Sequence, residues 1–335
     1  MKRLVRIRLL AAMAMILAPA LATAQVNVPP GFTWQVLAAG FQAVKHSAID
    51  QPGGMYGGMM FVAELGGNVV DQVLPNGIWA PYVPPGVVAG PVGLAIDFGG
   101  AYGGFMYVGE TRTPNVIRIL PGGGAVLFAA GLNGTGGIAF DPGLGYGGFL
   151  YCAEWAAPGP LANCVMRVAP NGVPAMFCPL PGADPRYLAF DTTLPPAYGG
   201  FLWVSEFTTG NVRSLGQNGV PAAPLANVGP GVEGIAFGLG DPAFGSAMYT
   251  ANLVTGTIDR ITPAGVVLPF ANTATGAAYI QFVPAASPYK TLAELTAAMK
   301  KKGDKASYGH SNATGKVMGE LLDMEVLSCP VYDGT

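Results

Sequence analysis

Short apolar segments alternate with glycine-rich turns along most of the chain, and one phrase marks each recurrence. An aromatic residue and a glycine lead into a run of mostly apolar residues that ends in a polar one. The phrase begins at Tyr56, Tyr102, Tyr146, Tyr198 and, in degenerate form, at Phe244, so successive copies start 46, 44, 52 and 46 residues apart. A period of this length, made of short strands, predicts a β-propeller with one blade per repeat.

Each repeat contains four strand-like segments, named a to d in chain order. Segment a is almost wholly apolar, as in residues 137–141, which is typical of an innermost strand buried on both faces. Segment b follows the aromatic-glycine turn, and segment c is predicted at residues 115–119, 164–168 and 257–261. Segments c and d flank turns with Asn-Gly at 76–77, 171–172 and 218–219, a pair suited to tight hairpins.

Two terminal segments predict an unfinished sixth blade. Residues 31–41 have the pattern of segment d with nothing before it, and residues 279–284 have the pattern of segment a with nothing after it. The predicted fold class is therefore all-β: a propeller of five complete four-stranded blades plus an incomplete sixth over residues 25–284. A short α/β tail is predicted over residues 285–335.

The first 24 residues have the pattern of an export signal. Four basic residues within the first eight precede an apolar stretch at 9–21, and Ala-Thr-Ala at 22–24 precedes Gln25. Cleavage is therefore expected after Ala24, with a periplasmic or secreted mature protein. The apolar stretch is shorter than a membrane span and Pro19 interrupts it, so no membrane span is predicted.

Charge and composition limit the classes of partner that this protein can bind. Charged residues make up 11% of the chain and the formal net charge is −2, which leaves no basic face for a nucleic acid. The expected partner is therefore a small molecule or another protein, of unknown identity. The 50 glycines and 30 prolines occur without a collagen period in a chain that is 51% hydrophobic, which indicates a folded, turn-rich β protein.

Three of the four cysteines lie within the third repeat. Cys164 and Cys178 fall on its neighbouring segments c and d, and an exported protein can oxidise such a pair, so we predict a Cys164–Cys178 disulfide. A zinc site is the weaker alternative, because neither a histidine nor a C-x-x-C spacing accompanies these cysteines.

The third repeat also carries a family resemblance. Gly-Ile-Ala-Phe-Asp-Pro at 137–142, Phe-Leu-Tyr-Cys-Ala-Glu at 149–154 and Val-Met-Arg-Val-Ala-Pro-Asn-Gly at 165–172 resemble the NHL-repeat and SMP-30/gluconolactonase-like six-bladed propellers. The resemblance covers residues 31 to about 284. It implies a six-bladed, TolB-like ring, and it leaves function open because that superfamily contains both binding modules and hydrolases.

The tail resembles a different family. Residues 287–295, 306–315 and 318–322 are similar to the solute receptors of tripartite tricarboxylate transporters, the Bug family. The resemblance implies an anion-binding loop that precedes a helix, as helix N-termini favour anions, at Ser311, Asn312, Ala313 and Thr314. About 50 residues match a receptor of about 300, so this tail is a truncated fragment and a carboxylate-receptor function is not expected from it.

One polar residue recurs at the end of every segment b. A ring of carboxylates and amides at one end of a propeller could hold Ca²⁺ or a polar ligand, since hard cations prefer oxygen ligands. Alternatively, each side chain accepts hydrogen bonds from its own turn, and repetition in every blade favours this structural role. The residues concerned are Glu64, Glu110, Glu154, Glu206 and Asn252.

Two residues break the symmetry and are the preferred ligand contacts. Arg186 begins a segment a where other repeats carry glycine, and Trp155 begins a long b–c loop. No catalytic residue can be assigned, because the two histidines lack a nucleophile motif and no G-x-S-x-G occurs. His46, on the first segment a, is expected to be a packed, hydrogen-bonded core residue.

The function expected from these patterns is an exported, non-catalytic propeller that binds a ligand or partner at one end of the ring. The alternatives are a metal-dependent lactonase-like hydrolase, which would need ligands converging from several blades, and the carboxylate receptor. No cofactor is assigned, and Ca²⁺ is the one ion that the repeated acids suggest.

Overall fold

A computed structural model describes residues 5–8, 26–51, 53–74, 77–155, 163–238, 244–273 and 276–282. The chain divides into two units, residues 1–283 and 284–335. The predicted α/β tail, with its anion loop at Ser311, Asn312, Ala313 and Thr314, lies outside the described residues. Within the described part of the chain, no helix is long and apolar enough to cross a membrane.

Five four-stranded antiparallel sheets follow one another in chain order, which confirms the predicted all-β propeller. The first two blades are β3 (Val44–Ile49), β4 (Met60–Glu64), β5 (Val69–Val73) and β6 (Trp79–Val83), then β7 (Pro91–Ile96), β8 (Met106–Glu110), β9 (Asn115–Ile119) and β10 (Ala125–Ala130). The third blade is β11 (Thr135–Phe140), β12 (Leu150–Glu154), β13 (Cys164–Val168) and β14 (Pro174–Pro179).

The fourth blade is β15 (Pro185–Phe190), β16 (Leu202–Glu206), β17 (Asn211–Leu215) and β18 (Ala226–Asn227), and the fifth is β19 (Val232–Phe237), β20 (Met248–Asn252), β21 (Thr257–Ile261) and β22 (Val267–Asn272). The first strand of each blade is the inner strand a, and β3, β7, β11, β15 and β19 lie side by side in that order. Apolar clusters fill the spaces between successive blades.

The aromatic residue of the repeated phrase joins each blade to the next. The Tyr102 hydroxyl donates to the carbonyl of Val168 at 2.5 Å and accepts from the backbone N–H of Leu150 at 2.8 Å, both in the third blade. It therefore bridges the ends of two paired strands. The same bridge is formed by Tyr56 to Met106 and Ile119, by Tyr146 to Leu202 and Leu215, and by Tyr198 to Met248 and Ile261.

An aspartate at the end of strand a holds each tyrosine in place. Asp97 accepts backbone N–H groups from Gly99 and Gly100 on one oxygen, and from Tyr102 and Gly104 on the other, at 2.7 to 3.1 Å. Both glycines after Tyr102 have positive φ angles, 79° and 74°, which other residues rarely adopt. Asp50, Asp141 and Asp191 hold the equivalent turns, in keeping with the Asx-turn chemistry of these positions.

The sixth position of the ring is filled without a regular strand. Residues 276–282 run between β19 and β3: a Cβ atom on Gly234 would lie 2.8 Å from Cα of Tyr279, and the ring centroids of Tyr279 and His46 are 3.8 Å apart. In the orientation that satisfies its amide, Gln281 donates to the hydroxyl of Ser47 at 2.7 Å and accepts from the N–H of Ile49 at 3.3 Å. A side chain thus bonds the inner edge of β3.

The N-terminal segment departs from its prediction as strand d of that blade. Instead, β2 (Phe32–Gln35) pairs in parallel with β1 (Val5–Arg8), and Asn27 bridges Asn272 at the outer edge of the fifth blade. Among the described residues, the sixth blade has no strand c beside which a strand d could pair, and this segment bonds elsewhere. Strand β1 lies inside the predicted export signal, whose cleavage stays a prediction.

The register of the third blade also corrects the predicted disulfide. Cys164 lies opposite Pro179, while Cys178 lies opposite Val165. Successive residues of a strand point to opposite faces. Cys164 accordingly packs on the face toward the second blade and Cys178 on the face toward the fourth, so no Cys164–Cys178 disulfide is formed.

We expect Tyr102→Phe to lower the free energy of unfolding, because it strands the N–H of Leu150 and the carbonyl of Val168 in the core, at roughly 1–3 kcal/mol per stranded group. Urea unfolding at equilibrium measures the loss. Phe244→Tyr is the matched control: it adds a hydroxyl where no complete blade follows within the described part of the chain, and should bring no gain. Equal stability of Tyr102→Phe and the parent protein would contradict the role of the bridge.

Candidate functional site

Three rings from separate inner segments close the middle of the channel. His46 stacks on Tyr187 with ring centroids 5.3 Å apart and planes 4° apart, and Tyr279 contacts both rings. The hydroxyl of Tyr187 crosses the channel and donates to the carbonyl of Lys45 at 2.6 Å. We call His46, Tyr187 and Tyr279 the aromatic plug.

Glycines at the equivalent positions of other inner strands make room for the plug. A Cβ atom on Gly137 would lie 2.7 Å from Cδ1 of Tyr187 and 2.8 Å from its Cα. Gly93 and Gly234 are similarly crowded, against the third blade and against Tyr279. The three rings and the three glycines occupy the same position along their inner segments, and two of the rings, Tyr187 and Tyr279, lie directly against a glycine.

His46 has a structural role in the plug, in keeping with its sequence interpretation. Its Nδ1 accepts the backbone N–H of Leu94 at 3.1 Å. Burial lowers the pKa of His46 from 6.5 to about 3, so the imidazole is neutral in physiological buffer. Burial likewise raises the pKa of Tyr187 and Tyr279, which keeps both hydroxyl groups protonated.

Arg186 and Trp155, the two residues singled out as ligand contacts, touch each other at the b–c end of the ring. The Arg186 guanidinium lies 3.7 Å from the Trp155 ring centroid and 4.3 Å from that of Phe207. Two hydrogen bonds of 3.0 and 2.9 Å join it to Asp184. Its guanidinium is thus already held by two rings and a carboxylate.

The same cluster contains a second ion pair that the sequence interpretation missed. Lys45 donates to both carboxylate oxygens of Glu233 at 3.0 and 3.1 Å, and Arg186 lies 3.6 Å from Glu233. Lys45, Arg186 and Glu233 occupy the same position of their inner strands, one residue before the plug layer. That shared register was the signal by which the sequence could have grouped them.

On the other side of the plug, the channel widens into a cavity of about 710 Å³ that opens at the a–b end. Alanine stands at the equivalent wall position of all five inner strands, and Gln281 stands at the sixth. The cavity wall includes, in chain order, Ala48, Ala95, Ala139, Ala189, Ala236 and Gln281. Small side chains at these positions leave the space empty, and Phe140 and Phe237 extend the apolar wall.

Rim carboxylates of this cavity are already used by the fold. Asp97 and Asp141 both border the cavity, yet each accepts four backbone N–H groups from its own loop. Besides these carboxylates, the side chains of Ser47, Gln281 and Thr192 bring polar groups to the cavity wall. The cavity is therefore an apolar chamber with a small number of hydrogen-bonding groups.

The repeated acids are engaged within their own parts of the ring. Glu154 accepts from the N–H of Asn133 at 2.6 Å and from the hydroxyl of Thr135 at 2.8 Å. Glu110 is bound in the same way by Ala89 and Thr113, Glu206 by Thr209, Asn211 and Arg213, and Asn252 by the N–H groups of Val254 and Thr255. Glu64 differs, since it faces a second carboxylate, Asp71.

Among the described residues, no three His, Cys, Asp or Glu side chains come together as a metal-binding group. Of the residues that the sequence singled out, Arg186 and Trp155 lie in contact. The repeated polar residues do not meet, because each is held by hydrogen bonds in its own blade: Glu110, Glu154, Glu206 and Asn252.

No protein-family model and no curated protein matches the chain. Among solved structures, it is similar to a gluconolactonase from Xanthomonas campestris (18% identity, TM-score 0.54, covering 72% of this chain and 80% of that one). It is also similar to virginiamycin B lyase from Staphylococcus aureus (18%, 0.50, 68% and 70%) and to a chain of the nidogen/laminin complex (14%, 0.54, 71% and 84%). At such identities the similarity defines the class by fold: a β-propeller.

We expect Gly137→Ala to destabilise the protein by about 1–3 kcal/mol, because the new methyl group would press on Tyr187 in the plug. Urea unfolding measures the change. Gly124→Ala is the control, since a Cβ atom there would meet its nearest neighbour, Leu120, at an ordinary 3.6 Å. Similar stabilities of the two variants would show that Tyr187 can move away from the new methyl group at little cost in free energy.

The buried carboxyl of Glu154 should make stability fall as pH rises. Burial raises the pKa of Glu154 from 4.5 to about 7, although hydrogen bonds from Asn133, Thr135 and Gly134 oppose the shift. The folded state thus holds a proton that the unfolded chain has lost, so stability declines between about pH 4.5 and 7, by roughly 3 kcal/mol. Glu154→Gln should reduce this decline, measured by urea unfolding from pH 4.5 to 8.

Thr135→Val serves as the control for Glu154→Gln. It removes a hydrogen bond to the carboxyl group but keeps the titrating group, so the decline with pH should persist. If Glu154→Gln retained the full pH dependence of the parent protein, the titration would belong to another residue.

Proposed function

We propose that the protein is an exported binding propeller that holds a small, predominantly apolar molecule in the channel cavity at the a–b end. The observation that carries the proposal is the cavity itself: about 710 Å³, walled by alanines and phenylalanines, and closed at its inner end by the aromatic plug. Its size falls within the range of small-molecule sites, roughly 300–1,000 Å³.

The chemistry of the wall supports an apolar ligand with one or two polar groups. Apolar surface buried on binding contributes about 25 cal/mol per Å². Ser47 and Gln281 lie together on one wall, 2.7 Å apart at their polar atoms, and can orient a hydroxyl or carbonyl group of the ligand. The opposite entrance is occupied by Lys45, Arg186 and Glu233, so the a–b end is the side from which a ligand enters.

Binding without catalysis is supported by the state of the titratable groups near the cavity. The His46 Nδ1 atom accepts a backbone hydrogen bond, and Asp97 and Asp141 are saturated by N–H groups. A general acid or base needs a lone pair or proton that it can share with a substrate. Asp97 and Asp141 share theirs with the backbone, and burial lowers the pKa of His46 to about 3, which makes its imidazole a weak base.

A lactonase-like hydrolase is the second candidate, favoured by the fold similarity to the gluconolactonase structure. It would use the same cavity, so a single set of variants distinguishes the two functions. Hydrolysis would require a catalytic metal or base in addition to the wall residues described above.

Filling the cavity should abolish binding. We expect the neutral fluorophore N-phenyl-1-naphthylamine to bind the parent protein with a stoichiometry of one, and Ala139→Phe to weaken binding at least tenfold by occupying the space. Fluorescence titration measures both. Ala80→Phe, on the exposed outer strand β6, is the control and should bind as the parent protein does. Circular dichroism checks that Ala139→Phe is folded.

The same proteins are assayed for hydrolysis of gluconolactone with and without added divalent metal. No hydrolysis is expected. Turnover that Ala139→Phe abolishes and Ala80→Phe retains would replace the binding proposal with the hydrolase. Equal dye binding by Ala139→Phe and the parent protein would overturn the cavity as the site.

A further inference from the structure

The first blade contains a pair of buried carboxylates away from the channel cavity. Glu64 ends β4, and Asp71 is the central residue of β5, where it lies opposite Val62. Glu64 is itself opposite Val69, so strand alternation places both carboxylates on the same face of the blade. Their exposed fractions are 4% and 0%.

These carboxylates lack the hydrogen bonds that the other repeated acids have. Neither oxygen of Asp71, nor Oε2 of Glu64, has a hydrogen-bond donor within the described parts of the chain. A buried carboxylate without donors or a counter-charge is strongly unfavourable. Burial, followed by the charge of Glu64, raises the pKa of Asp71 from 3.8 to about 7.

The equivalent position in the other blades shows what is missing. The third residue of strand c is Arg213 in the fourth blade, and its guanidinium pairs with the repeated acid Glu206. In the second blade this residue is Ile117 and in the third blade it is Met166. The repeated glutamate of each of these blades therefore has an apolar residue, not a second carboxylate, at this position of strand c. In the fifth blade this residue is Asp259, and strand b ends in the amide Asn252 instead of a glutamate. The hydroxyl of Thr257 donates a hydrogen bond to the Asp259 carboxylate.

Cations close to the first blade are committed to other groups. Lys45 of β3 is paired with Glu233. Arg112 donates to the side chain of Asn68 at 2.7 Å and to the carbonyl of Leu65. Among the described side chains, the first blade therefore has two facing carboxylates where the fourth has a carboxylate and a guanidinium.

The b–c turn packs closely against this pair. A Cβ atom on Gly67 would lie 2.4 Å from Oε1 of Glu64, so the carboxylate rests directly on glycine backbone. A residue with a side chain would occupy the space beside that oxygen. Two carboxylates supply up to four oxygen ligands, and water or backbone carbonyls commonly complete the six to eight ligands of calcium.

We propose that Glu64 and Asp71 bind a divalent cation of the hard, oxygen-preferring class, with Ca²⁺ as the type, and that the cation takes the place of the guanidinium of the fourth blade. The site stabilises the first blade at the b–c end. It is independent of the channel ligand, because neither carboxylate borders the channel cavity.

The test uses the full chain with CaCl₂ as the probe. At pH 8, Ca²⁺ at a hundredfold excess over its Kd should raise Tm by about 5 °C relative to EDTA. Asp71→Asn should lose this rise. Asp259→Asn, at the same strand position in the fifth blade, is the matched control and should keep it.

A measurement on the parent protein covers the case in which Asp71→Asn does not fold. Calorimetric titration with CaCl₂ at pH 6.5 in buffers of different ionisation enthalpy should show release of a proton as the metal replaces the proton that Asp71 holds at this pH. At pH 8 the release should be smaller. Binding of one Ca²⁺ with this pH-dependent release supports the site.

Three results would overturn the proposal. The first is no binding of Ca²⁺ by the parent protein at pH 8, which would mean that the pair is held by a proton. The second is Ca²⁺ binding with no proton release at pH 6.5. The third is a folded Asp71→Asn variant that retains the Ca²⁺-dependent rise in Tm, which would place the ion elsewhere.

Discussion

The tyrosine hydroxyl that reaches from one blade into the next is the interaction on which this ring depends. Hydrophobic contact between blades is non-directional and would tolerate sliding of one sheet over another. The hydroxyl of Tyr102 bonds one N–H and one carbonyl at a defined place in the following blade, and so sets the position of that blade. Four tyrosines in all form this bond, and the fifth copy, Phe244, comes where no complete blade follows among the described residues.

Position along the inner strands explains how the channel is divided. One layer holds the aromatic plug with its complementary glycines, the layer before it holds Lys45, Arg186 and Glu233, and a later layer holds the alanines of the cavity wall. Since successive inner strands share one register, a residue type chosen at one position acts on a whole cross-section of the channel. This arrangement gives the channel a charged b–c end and an a–b end that contains the cavity.

The sequence predicted the blades in detail, but it predicted the site in part. Strand c was predicted at 115–119, 164–168 and 257–261, as observed for β9, β13 and β21. Arg186 and Trp155 stood out because they break the repeat, and they do touch. The sequence did not indicate Lys45 and Glu233 as their neighbours, because the contact joins strands 188 residues apart in the chain. The register of Cys164 and Cys178 depended on a strand pairing that spacing does not specify.

The sequence by itself determined what is local and repeated. Aspartate, the aromatic residue, paired glycines and Asn-Gly turns act over a few residues, so their chemistry can be read from any one repeat. The tertiary structure decided what depends on unlike blades meeting: the plug in which Tyr187 bonds Lys45 across 142 residues, and the completion of the inner ring by residues 276–282. Each of these joins groups that lie far apart in the chain, and distance along a chain does not specify distance across a ring.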